Sequence, residues 1–192
     1  MFISDSLLQR IKRIRLLILD VDGVMTDGAL VIGDDGQEYK RFFAQDGLGL
    51  TMLRSTGVEI AIITGRTSNV VKKRAEEIGV NHLYQGKRNK YEAYLELLAA
   101  TGLNPEQTAF MGDDIIDLPV MTQVGLSLSV PEGHALARQH AHWLSERAGG
   151  YGAVRDACEL IMTAQGTLDD QVNRFLSLSS ASDVGSVGSL SQ

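Results

Sequence analysis

The chain has little of several things, and each shortage excludes something. It carries one cysteine, Cys158, among 192 residues, so no disulfide can close within it. That fits a reducing compartment, and a cytoplasmic protein is expected. Cys158 itself reads as a small buried hydrophobe on a helix. No apolar run reaches the roughly 20 residues that a membrane-spanning helix needs, so no membrane partner is expected. Met1-Phe2-Ile3-Ser4-Asp5 lacks the basic-then-apolar layout of a secretory signal. Positive charge is also short: 18 Lys and Arg against 24 Asp and Glu leave a net charge of −6. With no basic stripe to grip a phosphate backbone, nucleic acid is not an expected partner either. What remains is a composition of ordinary globular type, 44% hydrophobic and 22% charged, long enough for one core.

The most informative stretch is Leu16-Leu17-Ile18-Leu19-Asp20-Val21-Asp22-Gly23. Four apolar residues without polar alternation predict a strand buried on both faces, as in a parallel sheet. Asp20 and Asp22 then fall at its carboxyl end, where open α/β sheets form their ligand crevice. A plain Asp-Gly turn between two strands is the competing reading.

The rest of the chain alternates strands and helices. Ser6 to Arg15 predicts a short amphipathic helix with a solvated basic face. A hairpin over about 28–43 follows the Asp pair, turning at Gly33-Asp34-Asp35-Gly36. A helix opens at Asp46-Gly47, with Asp46 as its N-cap and Gly57 as its stop. Strands are expected at Val58–Ile63, His82–Tyr84, Thr108–Met111 and Val124–Val130, with an edge strand at Ala141–Leu144. Helices are expected between them and from Ala153 to Gln165. The pattern predicts an α/β, doubly wound, Rossmann-like parallel sheet in a single domain over 1–176. Residues 177–192 are rich in Ser and Gly, the composition of a disordered tail.

Three strand ends carry polar clusters: Asp20 with Asp22, Thr64 with Arg66, and Asp113, Asp114 and Asp117. Lys90 lies in a basic loop between the last two. Parallel neighbours would bring these groups to one edge. Carboxylates gathered there resist full ionisation unless a cation sits among them, and an all-oxygen donor set suits Mg²⁺. Thr64, the Gly65 amide and Lys90 would supply donors and charge to a phosphoryl group. An aspartate can attack phosphorus to form an aspartyl-phosphate, and a second acid two residues on can serve the leaving oxygen. His140-x-His142 has no third ligand beside it, so the histidines read as structural or surface residues.

Asp20-x-Asp22, Thr64, Lys90 and Gly112-Asp113-Asp114-x-x-Asp117, in this order, resemble the four motifs of the haloacid dehalogenase superfamily of phosphohydrolases. The likeness spans about Ile14 to Gln165. Asp20-Val-Asp-Gly-Val, Gln45-Asp46-Gly47, Ile62-Ile-Thr-Gly-Arg66, Tyr84-Gln-Gly86 and Ala148-Gly-Gly-x-Gly-Ala-Val-Arg155 are similar to stretches of its sugar-acid phosphatases, which act on a 3-deoxy sugar acid of lipopolysaccharide synthesis. The resemblance implies Asp20 as nucleophile and metal ligand. It implies Asp22 as acid/base, its backbone oxygen binding Mg²⁺, and Asp113 as a further metal ligand. Thr64 and Lys90 would bind the phosphoryl group, with Asp114 and Asp117 as supports behind them. Substrate contacts are expected from Asp22, Gln45, Asp46, Gly47, Gly65, Arg66, Arg74 and Lys90.

The spacings leave no room for a lid domain between Asp22 and Thr64 or between Thr64 and Lys90, so the implied type is capless. The family pattern then implies a homotetramer packed through the hairpin, with a C-terminal segment reaching a neighbour's site. Hairpin residues Leu30, Ile32, Tyr39, Phe42 and Phe43 either serve that contact or fold back on the chain's own core. Many relatives carry arginine where this chain has Gln45, Thr51 and Tyr151, which leaves Arg66 and Arg74 to hold a sugar-acid carboxylate. The competing functions are a broad sugar-phosphate phosphatase, a receiver-like phosphoaspartate signalling module and a catalytically reduced interaction domain.

Overall fold

The computed structural model describes residues 3–181. Four fully apolar residues form the central strand β1, Leu16–Leu19, and all four are buried. Around it lie β4 (Glu59–Ile63), β5 (His82–Tyr84), β6 (Thr108–Met111), β7 (Leu126–Ser129) and β8 (Trp143–Leu144). The helices are α1 (Asp5–Lys12), α2 (Ala44–Arg54), α3 (Asn69–Glu77), α4 (Lys90–Thr101), α5 (Leu118–Met121), α6 (Ala135–His140), α7 (Ala153–Ala164) and α8 (Leu168–Ala181). The six strands form one sheet in the order β5-β4-β1-β6-β7-β8, every neighbour parallel.

Alternation along β1 divides the core. Leu17 and Leu19 face the side covered by α1, α2, α3 and α7, where Leu50, Leu53, Ala157 and Ile161 pack. Leu16 and Ile18 face the side of α4, α5 and α6, against Ala93, Tyr94, Leu97 and Phe110. This is the doubly wound architecture that the alternation predicts. It sets the carboxyl ends of β1, β4 and β6 side by side, with Leu19 level with Ile62 and Met111.

The hairpin is present but short: β2 (Val31–Ile32) pairs antiparallel with β3 (Glu38–Tyr39). It does not fold back as a whole on the chain's core. Leu30, Val31, Ile32 and Tyr39 are each more than half exposed, while Phe42 packs against the core. Helix α2 starts at Ala44, two residues before the expected Asp46 cap, with Phe43 at the N-cap and no side-chain cap bond. Helix α8 departs from the expectation. It carries Leu168, Val172, Phe175 and Leu176 at helical spacing, and buried Gln171 receives a hydrogen bond from the Ser55 hydroxyl. Residues 177–181, expected as tail, are therefore helical, and the remainder of that expectation, residues 182–192, lies outside the described residues.

Candidate active site

Asp20 is the first residue beyond β1, and its N–H donates to the Met111 carbonyl at the end of β6 (3.0 Å). The side chain is thus fixed at the seam between two strands. Lys90, the first residue of α4, reaches it across the crevice: Nζ lies 2.8 Å from Asp20 Oδ1 and 2.6 Å from Asp117 Oδ1. The three side chains are almost wholly buried. Asp117 Oδ2 accepts the N–H groups of Asp113 (2.9 Å) and Asp114 (3.1 Å), so both its oxygens are in use. Asp114 turns outward and caps its own turn through Ile115 N–H.

Asp113 differs from its neighbours. Its Oδ1 is buried and has no hydrogen-bond partner. Oxygens of Asp20, Asp113 and Asp117 lie within 4.8 Å of one another. Gly23 permits this: a Cβ there would sit 2.1 Å from Asp113 Oδ2, and its φ of +94° is one that L side chains rarely adopt. Burial pushes the Asp113 carboxyl up to about 7, helped by the charges of Asp20 and Asp117. Burial likewise raises Asp20 to about 6, against the pull of the Lys90 ammonium. For Lys90, burial works against the charge, yet Asp20 and Asp117 outweigh it and hold its pKa above the ordinary value.

Thr64 follows β4 and is buried, its N–H donating to the Tyr84 carbonyl (3.0 Å). Gly65 beside it is open: an added Cβ would meet nothing nearer than Ile116 Cδ1 at 3.7 Å. Asp22 is not one of the three clustered carboxylates. Its carboxylate pairs with Lys40, just beyond β3, and its Oδ2 lies 3.9 Å from Arg66 Nε. No sequence signal singled out Lys40, because a lysine within an expected hairpin strand, next to Arg41, reads as a solvated side chain.

The expected substrate contacts fall into two groups. Gly65, Arg66 and Lys90 stand with the cluster or beside Asp22. Gln45, Asp46 and Gly47 lie on α2, and Arg74 reaches them from α3. Asp46 accepts the Arg155 N–H (2.8 Å) and so caps α7 from a neighbouring helix. Gly47 makes room for Arg74, whose Nη2 would be 2.2 Å from a Cβ at that position. Arg74 also pairs with Glu77, faces the Phe42 ring and keeps a buried Nε with no partner. Gln45 and Tyr151 each contact an arginine. Arg147 Nη1 donates to Gln45 Oε1 (2.9 Å), and the Arg41 guanidinium lies 4.4 Å from the centre of the Tyr151 ring. A cleft at the opposite, amino end of the strands, lined by Lys12, Arg15, Gly57 and Gln165, holds none of these groups.

A model of the haloacid dehalogenase-like hydrolases matches residues 48–125. The 3-deoxy-D-manno-octulosonate 8-phosphate phosphatase KdsC of Yersinia pestis is 48% identical over 167 residues, covering 87% of this chain and 89% of that protein. The chain belongs to the 3-deoxy-D-manno-octulosonate 8-phosphate phosphatase family, within the haloacid dehalogenase-like hydrolases. A Moraxella catarrhalis phosphatase of this family, in complex with a magnesium ion, a phosphate ion and a KDO molecule, shares the fold. Its TM-score is 0.88 at 39% identity, covering 90% of this chain and 99% of that one. A probable YrbI family phosphatase from Pseudomonas syringae also scores 0.88, at 45% identity and with 90% and 98% coverage. Membership of the phosphatase family removes the receiver-like alternative. Among the described residues no helix is long and apolar enough to cross a membrane.

Proposed function

We propose that this protein is a cytoplasmic Mg²⁺-dependent phosphatase that converts 3-deoxy-D-manno-octulosonate 8-phosphate to the free sugar acid and phosphate, a step of lipopolysaccharide precursor synthesis. The observation that carries the reading is the buried cluster at the end of β1, in which Asp113 Oδ1 stands without a partner. Three carboxylates there face one ammonium, a balance that calls for a divalent cation. The donors are all oxygen, which fits Mg²⁺. With both Asp117 oxygens occupied, Asp20, Asp113 and the backbone oxygen of Asp22 are the groups that would hold the ion, leaving Asp117 to orient Lys90 and the turn. When bound, it would neutralise phosphate charge in the crevice.

The residues then divide the work. Lys90 and Asp117 orient Asp20 and keep its free oxygen toward phosphorus. The Asp20 carboxylate attacks phosphorus, the sugar oxygen leaves, and that oxygen takes a proton from the Asp22 carboxyl. Water then attacks the aspartyl-phosphate, passing its proton to Asp22 and releasing phosphate. The Thr64 hydroxyl, the Gly65 amide and Lys90 bind phosphoryl oxygens. Arg66 and Arg74, with Arg41 and Arg147 nearby on Tyr151 and Gln45, are the cations for the sugar-acid carboxylate.

The exposed hairpin supports a homo-oligomer, a tetramer in our reading. Leu30, Val31, Ile32 and Tyr39 present an apolar face that a second copy would cover. Phosphate release from a panel of sugar phosphates tests the function. Turnover should favour 3-deoxy-D-manno-octulosonate 8-phosphate, require Mg²⁺, and vanish with EDTA or in D20N. Comparable rates across the panel would favour a broad sugar-phosphate phosphatase, and turnover surviving D20N would overturn the mechanism.

A further inference from the structure

Among the described residues, Lys40 is the one buried cation near the site that the proposed mechanism does not use. It stands just beyond β3, and its side chain is 1% exposed. Its ammonium contacts Asp22 Oδ1 and lies 3.2 Å from Glu38 Oε1. Glu38 Oε1 is 3.1 Å from Arg66 Nη2, and Arg66 Nε is 3.9 Å from Asp22 Oδ2. The four side chains thus close a ring of two carboxylates and two cations, with Asp22 held between Lys40 and Arg66.

The two sides of the ring bind Asp22 differently. Lys40 makes a hydrogen-bonded pair with Oδ1. Arg66, at 3.9 Å, is beyond hydrogen-bond reach of Oδ2. An ammonium has three donors and no acceptor, so the oxygen it holds cannot also present a proton toward it. Glu38 keeps the Lys40 charge balanced when Asp22 is protonated, so the contact does not require Asp22 to stay ionised. A lysine buried this deeply is costly without such pairing.

We propose that Lys40 is a positioning residue for Asp22: it occupies Oδ1 and leaves Oδ2 as the oxygen that carries the transferred proton. The inference rests on the reading of Asp22 as the acid/base. In the first step the Asp20 oxygen–phosphorus bond forms, the phosphorus–sugar oxygen bond breaks, and the proton moves from Asp22 Oδ2 to the leaving oxygen. In the second, water's oxygen bonds phosphorus, its proton returns to Oδ2, and the Asp20–phosphorus bond breaks. Lys40 keeps its protons throughout. The hairpin, whose outer face is apolar, thereby also carries a residue that orients the reaction.

Leaving-group dependence tests this. A sugar alkoxide needs a proton to depart, whereas p-nitrophenolate does not. The kcat of the magnesium-loaded enzyme is measured on the best sugar phosphate of the panel and on p-nitrophenyl phosphate, for wild type, K40M, K40R and D22N. K40M should lose about 30-fold on the sugar phosphate and less than about 5-fold on the aryl ester, with K40R recovering most of the difference. Equal loss of K40M on both esters, or no loss on either, overturns the proposal. Should K40M fail to fold, K40L carries the same comparison, because it too offers no donor to Oδ1. D22N separates the two ideas. Selective loss in D22N without selective loss at Lys40 rejects Lys40 alone. Absence of selectivity in D22N rejects the acid/base reading, and the Lys40 proposal with it.

Discussion

The Asp46 carboxylate on α2 accepts the main-chain N–H of Arg155 in the first turn of α7, 2.8 Å away, and so joins two helices by a cap that neither supplies for itself. Its other oxygen is buried without a partner. The cap is favourable because the amino end of a helix offers unpaired N–H groups and positive potential. The unpartnered oxygen makes the charge costly.

That balance has a pH signature. Burial raises the Asp46 pKa to about 6, against the Arg155 N–H and Arg147. The unfolded value is about 3.9. A carboxyl raised on folding adds stability that is complete below about pH 4 and is lost as pH rises through 6. Ionising it in the native state costs up to about 3 kcal/mol. The difference in Tm between wild type and D46N should therefore shrink or reverse from pH 4 to pH 7. A pH-independent difference would contradict the shift.

Asp113 gives a metal-dependent counterpart. D113N removes charge from a cluster that is too negative, so the metal-free protein should be at least as stable as wild type. Magnesium should raise the wild-type Tm by an amount worth about 2.7 kcal/mol at a concentration 100 times the dissociation constant. D113N should lose that shift and the activity together, as read by thermal melts with and without EDTA.

Asp117 should behave in the opposite way. D117N leaves Lys90 buried with one carboxylate instead of two, and turns one of the two acceptor oxygens into an NH2 donor, so Lys90 and the two backbone N–H groups can no longer both be satisfied. Breaking such a buried pair costs about 3–5 kcal/mol. Urea unfolding should show that loss with or without magnesium.

Gly47 separates stability from recognition. G47A places a methyl where the Arg74 guanidinium lies. Alanine is favoured in a helix interior by about 1 kcal/mol, so the Tm should not fall far. The displaced arginine should raise KM for the sugar-acid phosphate by about 10-fold with kcat little changed, the cost of one charge-assisted hydrogen bond. An unchanged KM in steady-state kinetics would show that Arg74 has no part in binding.

The hairpin can be tested without touching the site. Ile32 is 59% exposed, so I32D should cost the isolated fold within about 0.5 kcal/mol. If a second copy covers it, light scattering at micromolar concentration should show the variant as a smaller species than wild type. An unchanged mass would reject the hairpin contact.

Residue order alone determined the sheet. Leu16–Leu19 reads as a strand buried on both faces, and is one. The Asp pair after it, with Thr64 and the 113–117 acids after later strands, is enough to name the chemistry. Those signals are local: hydrophobic period and acids at strand ends survive as one-dimensional pattern. Helix α8 was legible too, in Leu168, Val172, Phe175 and Leu176, but its Ser-rich end masked the period. Tertiary structure decided what each polar group is paired with, because partners many residues apart meet only when the sheet is built. Asp46 looked like the cap of its own helix and is the cap of another. Lys90 looked like a loop cation and is the first residue of α4, where packing buries it between Asp20 and Asp117. Gln45 and Tyr151 meet Arg147 and Arg41, and Asp22 meets Lys40 of the hairpin, through tertiary contacts alone.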